Sequence, residues 1–289
     1  MMIDTTEEMH EIELAPGTIR YRDVGRGVPI VFVHGLLVNG ALWRKVVPPL
    51  ARDFRCVVPD LPLGSHLPAM RADADLSPPA LARLIADFIA ALDLRDVTLV
   101  GNDTGGALCQ LVVTRHPERI GRLVLTPCDA FENFPPKFFA PLAAAARSRA
   151  LLWAIVQTMR SPLLARAPLA YGWLAKRPLD DGLLRTFTRP AIGSAAVRRD
   201  LAKAIAGLDP RLTLEAAGRL RAFTAPTLLA WAKEDRFFPL AHAHRLAEIL
   251  PDARVAEIDD AWTFVSEDRP EQLADLIADF VSERATLSA

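Results

Sequence analysis

The sequence predicts an α/β fold with a mostly parallel sheet, flanking helices and a helical insertion. Short apolar runs alternate with helical patterns in the first half of the chain, stop over residues 130–223, and then resume. With 289 residues, 51% of them hydrophobic, the chain can bury one large core. Strands that alternate with helices of this length favour right-handed βαβ crossovers, in which consecutive strands run parallel.

The predicted strands are short and follow one another at the spacing of βαβ units. Residues 18–21 alternate polar and apolar positions, as an edge strand does. Residues 29–33 form a continuous apolar run that ends at His34 and Gly35, which is typical of a buried parallel strand. Further strands are expected at residues 55–58, 97–100, 122–126, 226–231 and 254–258.

Helical patterns fill the intervals between these strands. Ser77 and Pro78 predict the start of a helix that runs to about residue 92, because serine is a preferred N-cap and proline a preferred first helical residue. Other helices are expected at residues 41–50, 104–116, 240–250 and 270–284. Residues 130–223 show no strand pattern, only helical stretches interrupted by prolines. We therefore predict a core formed by residues 1–129 and 224–289, and a helical cap formed by residues 130–223.

Composition limits the partners and the environment that we expect. The net charge of −1 predicts neither a nucleic-acid partner nor a membrane partner. Residues 1–13 are acidic and lack the pattern of a signal peptide, and three cysteines (Cys56, Cys109 and Cys128) lie in apolar segments without metal-ligand spacing. We expect a cytoplasmic monomer or homodimer with buried reduced thiols, no metal, no cofactor and a small-molecule substrate as its partner.

The sharpest local signal is the segment Gly101-Asn102-Asp103-Thr104-Gly105, which joins a predicted strand to a predicted helix. The nucleophile elbow is a strained turn that exposes its central side chain, and its pattern is Gly-x-nucleophile-x-Gly. Asp103 occupies the nucleophile position. The alternative is a glycine-rich turn in which Asp103 only caps the helix.

Four segments together resemble the haloalkane dehalogenase and epoxide hydrolase branch of the α/β-hydrolase family. This resemblance covers nearly the whole chain and implies the α/β-hydrolase fold, with a mostly parallel eight-stranded sheet. The matching segments are residues 33–35 with 42–44, the elbow, residues 231–235, and residues 264–270.

The resemblance also implies a mechanism. In that branch an aspartate, here Asp103, attacks carbon as an ionised carboxylate and forms an alkyl-enzyme ester. The main-chain N–H groups of Leu36 and Thr104 would form the oxyanion hole, and Asp235 would orient the base. The alternative for Asp235 is a loop carboxylate paired with a neighbouring Lys or Arg.

The histidine that this mechanism needs is missing from the expected position. The family carries Gly-His-Phe where this chain has Trp262, Thr263 and Phe264, and threonine cannot act as a general base near pH 7. His66, in the loop after the strand at 55–58, is the best substitute, although a lone loop histidine is usually only a solvated residue. His34 belongs to the oxyanion loop and is expected to be structural.

Other pocket features of the branch are also absent. Dehalogenases hold the halide with tryptophan or asparagine, but Thr104 and Leu36 stand at those positions here. Fluoroacetate dehalogenases carry arginine after the nucleophile, and epoxide hydrolases use two cap tyrosines, whereas the insertion contains only Tyr171. Asp129 follows the strand at 122–126 and either approaches Asp103, so that one pKa rises, or only caps a turn.

Three functions remain open at this stage. The first is a hydrolase of small apolar substrates that uses Asp103 as nucleophile, with His66 or a water network as base. The second is a lyase, isomerase or cyclase that uses Asp103 as acid or base in a dry pocket. The third is a catalytically inactive protein that binds a hydrophobic molecule through the aromatic residues of the insertion, namely Phe138, Phe139, Trp153 and Trp173.

Overall fold

The protein folds around a single eight-stranded sheet. A computed structural model describes residues 9–287, and the side chains of residues 9–283 within that range. The strands are β1 (Met9–Leu14), β2 (Gly17–Val24), β3 (Pro29–Val33), β4 (Arg55–Pro59), β5 (Val97–Asp103), β6 (Ile120–Cys128), β7 (Thr227–Ala232) and β8 (Ala253–Ile258). Their order across the sheet is β1-β2-β4-β3-β5-β6-β7-β8.

The sheet is parallel from β4 to β8, and antiparallel pairing is confined to its first edge. Strand β1 pairs antiparallel with β2, and β2 pairs antiparallel with β4. Strands β3 and β5 lie side by side at the centre, with Val31 opposite Leu99. The predicted α/β-hydrolase fold with its mostly parallel eight-stranded sheet is confirmed. Strand β1 was not predicted, and it includes His10.

The helices that flank the sheet follow the predicted positions closely, with one exception. The helical bounds are α1 (Val47–Leu50), α2 (Pro78–Ala91), α3 (Thr104–Arg115), α4 (Ala140–Ala145), α5 (Arg149–Thr158), α6 (Pro162–Ala165), α7 (Asp181–Gly193), α8 (Ala195–Ala206), α9 (Pro210–Arg219), α10 (Leu240–Ile249), α11 (Val265–Asp268) and α12 (Pro270–Leu287). Residues 41–50, predicted as one helix, form a 3-10 turn at Gly40–Trp43 followed by the short α1. Pro48 and Pro49 lie in the first turn of α1, because a proline lacks the N–H that a longer helix would need.

All elements assigned between β6 and β7 are helical, as the sequence predicts. Helices α4 to α8 end before Gly207, and α9 then packs against the core helix α3. The segment predicted as the cap, residues 130–223, therefore contains one helix that belongs with the core. The apolar pattern of α9 resembles that of the other helices, so the sequence alone could not separate it from them.

Three features of the described residues bear on the predicted environment. Cys56, Cys109 and Cys128 are buried and free, as expected. In the part of the chain that the structure describes, no single helix is long and apolar enough to cross a membrane. The bent pair Lys137–Ala145 and Arg149–Thr158 meets that test only when its two helices are taken together.

Candidate active site at the turn between strand β5 and helix α3

The turn that joins β5 to α3 holds Asp103 in a left-handed backbone conformation. Its φ is 53° and its ψ is −134°, a conformation that costs free energy for any residue but glycine. Its carboxylate forms no capping bond to α3, which excludes the simple helix-cap alternative. Glycines make room for it: a Cβ on Gly35 would lie 2.1 Å from Asp103 Oδ2, and one on Gly105 would lie 2.4 Å from the Val33 carbonyl oxygen.

The carboxyl group of Asp103 lies in an environment that disfavours its charged form. Burial raises its pKa to about 7, and the nearby Asp235 carboxylate adds to the increase. The N–H groups of Leu36 and Thr104 face the carboxylate and lower the pKa in part, since they stabilise negative charge. The residues predicted as oxyanion-hole donors are thus directed at Asp103 itself. Burial and the Asp235 charge thus oppose the ionisation of Asp103 that is expected from the sequence at neutral pH.

Asn102 organises the site, although sequence reasoning treated it only as a spacer in the elbow. Its Nδ2 donates to Thr126 Oγ1 at 2.9 Å, to the Pro127 carbonyl at 3.1 Å and to the Thr263 carbonyl at 2.8 Å. One side-chain amide therefore joins the elbow to the end of β6 and to the loop after β8. A polar residue between Gly101 and the nucleophile position, at the end of an apolar strand, is the signal that could have indicated this role.

Asp129 lies beside Asp103 at the mouth of the same turn. Both side chains line one cavity, and Thr104 Oγ1 donates to Asp129 Oδ2 at 3.3 Å. Asp129 Oδ1 is buried without a hydrogen-bond partner among the described residues. Burial raises the pKa of Asp129 well above its usual value, and the charge of Asp103 raises it further. The expected proximity of the two carboxyl groups is found, and the pKa of each is raised.

Asp235 and Thr263 form a second polar group, which does not line the cavity. Asp235 Oδ1 accepts hydrogen bonds from the N–H groups of Phe237 and Phe238, both at 2.7 Å. Burial raises the pKa of Asp235 to about 6, while the neighbouring Thr263 hydroxyl lowers it in part. Neither Asp235 Oδ2 nor Thr263 Oγ1 makes a well-formed hydrogen bond within the described residues. Asp235 also forms no ion pair with Arg236, whose guanidinium instead stacks 4.0 Å from the Trp262 ring centroid.

His66 is buried but does not line the cavity that contains Asp103. Its Nε2 lies 3.3 Å from Oδ2 of Asp200, a buried residue of α8 that also accepts from the Met70 N–H at 2.8 Å. The expectation that His66 faces the pocket as a base is therefore not met. Its imidazole instead connects the loop after β4 to the cap, a role that depends on a partner 134 residues away in the sequence.

His34 is likewise held by the main chain. Its Nδ1 lies 2.9 Å from the Gly35 carbonyl, and its Nε2 accepts from the Leu61 N–H at 2.8 Å. A ring that donates through Nδ1 and accepts through Nε2 is neutral, and burial lowers the pKa of His34 to about 4. Its predicted structural role agrees with this geometry.

The cavity above Asp103 has a volume of about 350 Å³ and is almost entirely apolar. Leu36, Thr104, Asp129 and Tyr171 line it, whereas Trp262, Thr263 and the aromatic residues Trp153 and Trp173 do not. No histidine of the described chain lines it. The cap contributes most of the wall, with Phe138, Phe139, Leu142, Val156, Met159 and Leu169 among the lining residues.

The polar groups in this cavity are few and mostly engaged. The Tyr171 hydroxyl donates to the Leu37 carbonyl at 2.6 Å, so it is committed to the main chain. Among the described residues, no group of three His, Cys, Asp or Glu side chains is arranged to hold a metal ion. The site thus offers two buried carboxyl groups with raised pKa values, two N–H donors and an apolar wall.

Comparison with known proteins assigns the chain to a family. The profile of the α/β hydrolase fold matches residues 28–270, and the chain belongs to this family. Within it, the chain belongs to the branch that resembles haloalkane dehalogenases and epoxide hydrolases.

Two curated relatives and two solved structures illustrate the similarity. The cis-3-alkyl-4-alkyloxetan-2-one decarboxylase of Shewanella oneidensis is 27% identical over 99% of this chain and 93% of its own length. Haloalkane dehalogenase 2 of Mycobacterium tuberculosis is 30% identical over 89% of each chain. An α/β hydrolase fold protein from Burkholderia ambifaria has a TM-score of 0.81 at 24% identity, covering 96% of this chain and 99% of its own. A haloalkane dehalogenase from Bradyrhizobium elkani has a TM-score of 0.80 at 20% identity, covering 97% and 99%. The two structures support the fold alone.

Proposed function

We propose that this protein is an enzyme in which the Asp103 carboxylate attacks carbon in a small apolar substrate, and that the reaction finishes without an activated water molecule. The observation that carries the proposal is an aspartate at the elbow, faced by two N–H donors, in a cavity that no histidine of the described chain lines. A simple alkyl ester on Asp103 would persist in such a site, because a water molecule needs a base to attack it near pH 7. The substrate must therefore contain its own means of releasing the enzyme.

A β-lactone, the four-membered cyclic ester, meets this requirement. The Asp103 carboxylate attacks C4, the saturated ring carbon bonded to the ring oxygen. The bond between C4 and that oxygen breaks, and its electron pair leaves as a carboxylate on the substrate. That carboxylate then departs as CO₂, the electrons of the broken C–C bond form an alkene, and the Asp103–carbon bond breaks to restore the carboxylate. The net change is lactone to alkene and CO₂, so neither water nor a net proton is consumed.

Asp129 and the apolar wall fit these steps. The protonated Asp129 carboxyl can donate a hydrogen bond to the oxygen that develops charge as the ring opens, and it keeps its proton throughout. An apolar cavity accommodates alkyl groups and favours loss of CO₂, because a carboxylate is less stable in an apolar environment than in water. A cavity of about 350 Å³ also lies in the usual range for small-molecule sites.

The relative from Shewanella oneidensis supports this substrate class. Its name states that it decarboxylates a dialkyl β-lactone, and its similarity extends over 99% of this chain. Repeated haloalkane turnover fits less well, because no histidine of the described chain lines the cavity to hydrolyse the alkyl ester. The Tyr171 hydroxyl is also bonded to a main-chain carbonyl and is not free to speed the departure of a halide.

One observation favours a second candidate, hydrolysis. Asp235 Oδ2 and Thr263 Oγ1 lie near each other without a well-formed partner, and the Asp235 carboxylate is mostly ionised at pH 7 because its pKa is about 6. These two groups could direct a water molecule at an ester on Asp103, with Asp235 as the base.

Product analysis distinguishes the two candidates. The protein is incubated with a cis-3,4-dialkyl-β-lactone in water enriched in ¹⁸O, and the products are identified by mass spectrometry. Decarboxylation gives the alkene and CO₂, whereas hydrolysis gives a 3-hydroxy acid that carries ¹⁸O. We expect the alkene over many turnovers, and a loss of at least roughly a thousandfold in Asp103→Asn.

The controls keep the test decisive. Asp275→Asn, at an exposed position of α12, removes a carboxylate far from the elbow and is expected to retain full activity. Alkene formation that persists undiminished in Asp103→Asn would remove Asp103 from the reaction. A labelled hydroxy acid as the main product would replace decarboxylation by hydrolysis.

A further inference from the structure

The outer surface of the cap exposes a cluster of large apolar side chains. Leu163 is 80% exposed, Leu169 is 69% exposed and Trp153 is 51% exposed. Across the described residues, seven large hydrophobic side chains are exposed, and five of them lie between residues 151 and 169. Helices α5 and α6 and the turn after α6 carry this group, which we call the cap patch: Leu151, Trp153, Leu163, Leu164 and Leu169. Large apolar side chains that are exposed together on one short segment often mark a binding site.

Positive charge predominates in the segment that carries the cap patch. Residues 133–179 contain seven Lys and Arg residues and no Asp or Glu, although the whole chain has a net charge of −1. Lys137, Arg147, Arg149 and Arg160 are exposed, and none of the four forms an ion pair with a described residue. The expectation of no membrane partner uses the net charge of the whole chain, which does not show that the cap segment carries positive charge without acidic residues.

The cap patch is continuous with the cavity above Asp103. Leu164 and Leu169 are exposed to solvent and also line the cavity. An apolar molecule that leaves a surface covered by the cap patch would therefore pass directly along an apolar wall to the site. This arrangement suits a substrate that is poorly soluble in water.

We propose that the cap patch docks the protein onto an anionic lipid surface. Leucine and tryptophan side chains bordered by arginine and lysine are typical of segments that lie in the membrane interface, where the apolar groups insert and the cations meet lipid headgroups. A second copy of this chain fits poorly, because a twofold interface would place the same unpaired cations opposite one another.

The test uses the full chain and vesicles of two compositions. Phosphatidylcholine vesicles and vesicles with 30% phosphatidylglycerol are mixed with the protein, and the bound fraction is measured by sedimentation. We expect binding to the anionic vesicles only, and release when the salt concentration is raised to 0.5 M. Binding to neither composition, or equal binding to both, would overturn the proposal.

Two pairs of variants test the residues. The double variant Arg149→Glu with Arg160→Glu is expected to weaken binding by roughly tenfold or more, and Leu163→Ser with Leu169→Ser is expected to weaken it at every salt concentration. All four positions are exposed, and thermal melting of each variant checks that it folds.

Matched controls change the same residue types elsewhere. Arg26→Glu with Arg52→Glu reverses two exposed charges outside the cap, and Leu214→Ser removes an exposed leucine from α9. Both are expected to bind vesicles like the unmodified protein. If the controls and the cap variants lose binding equally, or if the cap variants bind normally, the cap patch is not the docking surface.

Two further outcomes separate the proposal from its alternatives. Capture of an acidic soluble protein through Arg149 and Arg160, without binding to anionic vesicles, would overturn lipid docking. Asp103→Asn is expected to bind vesicles normally, since it leaves the cap patch unchanged. Failure of the proposed reaction would therefore leave this result unaffected.

Discussion

Replacement of Asp103 by asparagine should stabilise the protein, and the gain should grow as the pH rises. The pKa of Asp103 is about 7 in the fold, against 3.8 as its reference value. Between these values the folded protein holds a proton that the unfolded chain has lost, so the free energy of unfolding falls as pH rises and levels off above about pH 7. An asparagine side chain has the same shape as aspartate, and its carbonyl oxygen can still accept from the N–H groups of Leu36 and Thr104. It carries no charge, so the variant has no charged group to bury at any pH.

The size of the effect follows from the pKa. Each unit of difference in pKa corresponds to about 1.4 kcal/mol. Between pH 5 and pH 8 the free energy of unfolding of the unmodified protein should therefore fall by roughly 3 kcal/mol relative to that of Asp103→Asn. For a chain of this size that corresponds to a difference in Tm that widens by roughly 6–12 °C. The buried acids that do not interact with Asp103 cancel from the comparison, whereas Asp129 titrates differently in the two proteins because the charge of Asp103 raises its pKa.

Thermal and urea unfolding of both proteins at pH 5, 6, 7 and 8 would measure this difference. Asp275→Asn, on the exposed face of α12, serves as the control and should track the unmodified protein at each pH. A stability difference that does not change with pH would refute the reasoning. So would a variant that becomes relatively less stable at pH 8, because Asp103 would then be stabilised as an anion.

Three further predictions test the roles of neighbouring residues. Asp235→Asn should move the midpoint of the pH–rate profile for lactone turnover below pH 7, because it removes a charge that raises the pKa of Asp103; complete loss of activity would make Asp235 part of the chemistry. Thr263→His should bring an imidazole beside Asp235 and restore hydrolysis of an alkyl ester on Asp103, observed as repeated release of hexanol from 1-bromohexane. If the ester is as stable in this variant as in the unmodified protein, residue 263 does not occupy the position of a general base. His66→Ala should cost roughly 1–3 kcal/mol in urea unfolding, because it leaves buried Asp200 with one partner fewer, while kcat at 25 °C changes less than about threefold; a selective loss of kcat would return His66 to the reaction.

Local patterns were sufficient to predict much of the fold. Apolar runs of five or six residues predicted the central strands, and glycine spacing predicted the turn that holds Asp103. Strand β3 is buried on both faces, so its uninterrupted run of apolar residues is enough to identify it as a central strand. The proximity of Asp129 to Asp103 could also be predicted, because neighbouring parallel strands end at the same edge of the sheet.

Contacts between distant segments could not be predicted in the same way. The orientation of His66 depends on Asp200, which α8 carries into the interior from the cap. The pKa of Asp103 depends on burial and on Asp235, which lies 132 residues further along the chain. The charge separation in the cap was present in the sequence, but it has meaning only once the structure shows that the apolar residues beside those cations are exposed.

Intact mass spectrometry after incubation with 1-bromohexane tests the central claim most directly, namely that Asp103 attacks carbon and that no group activates water on the resulting ester. The account predicts a mass increase of one hexyl group per chain, located on the peptide that contains Asp103, absent in Asp103→Asn and stable for hours at pH 8. Release of hexanol over many turnovers from the unmodified protein, or modification of another residue while Asp103 stays free, would contradict it.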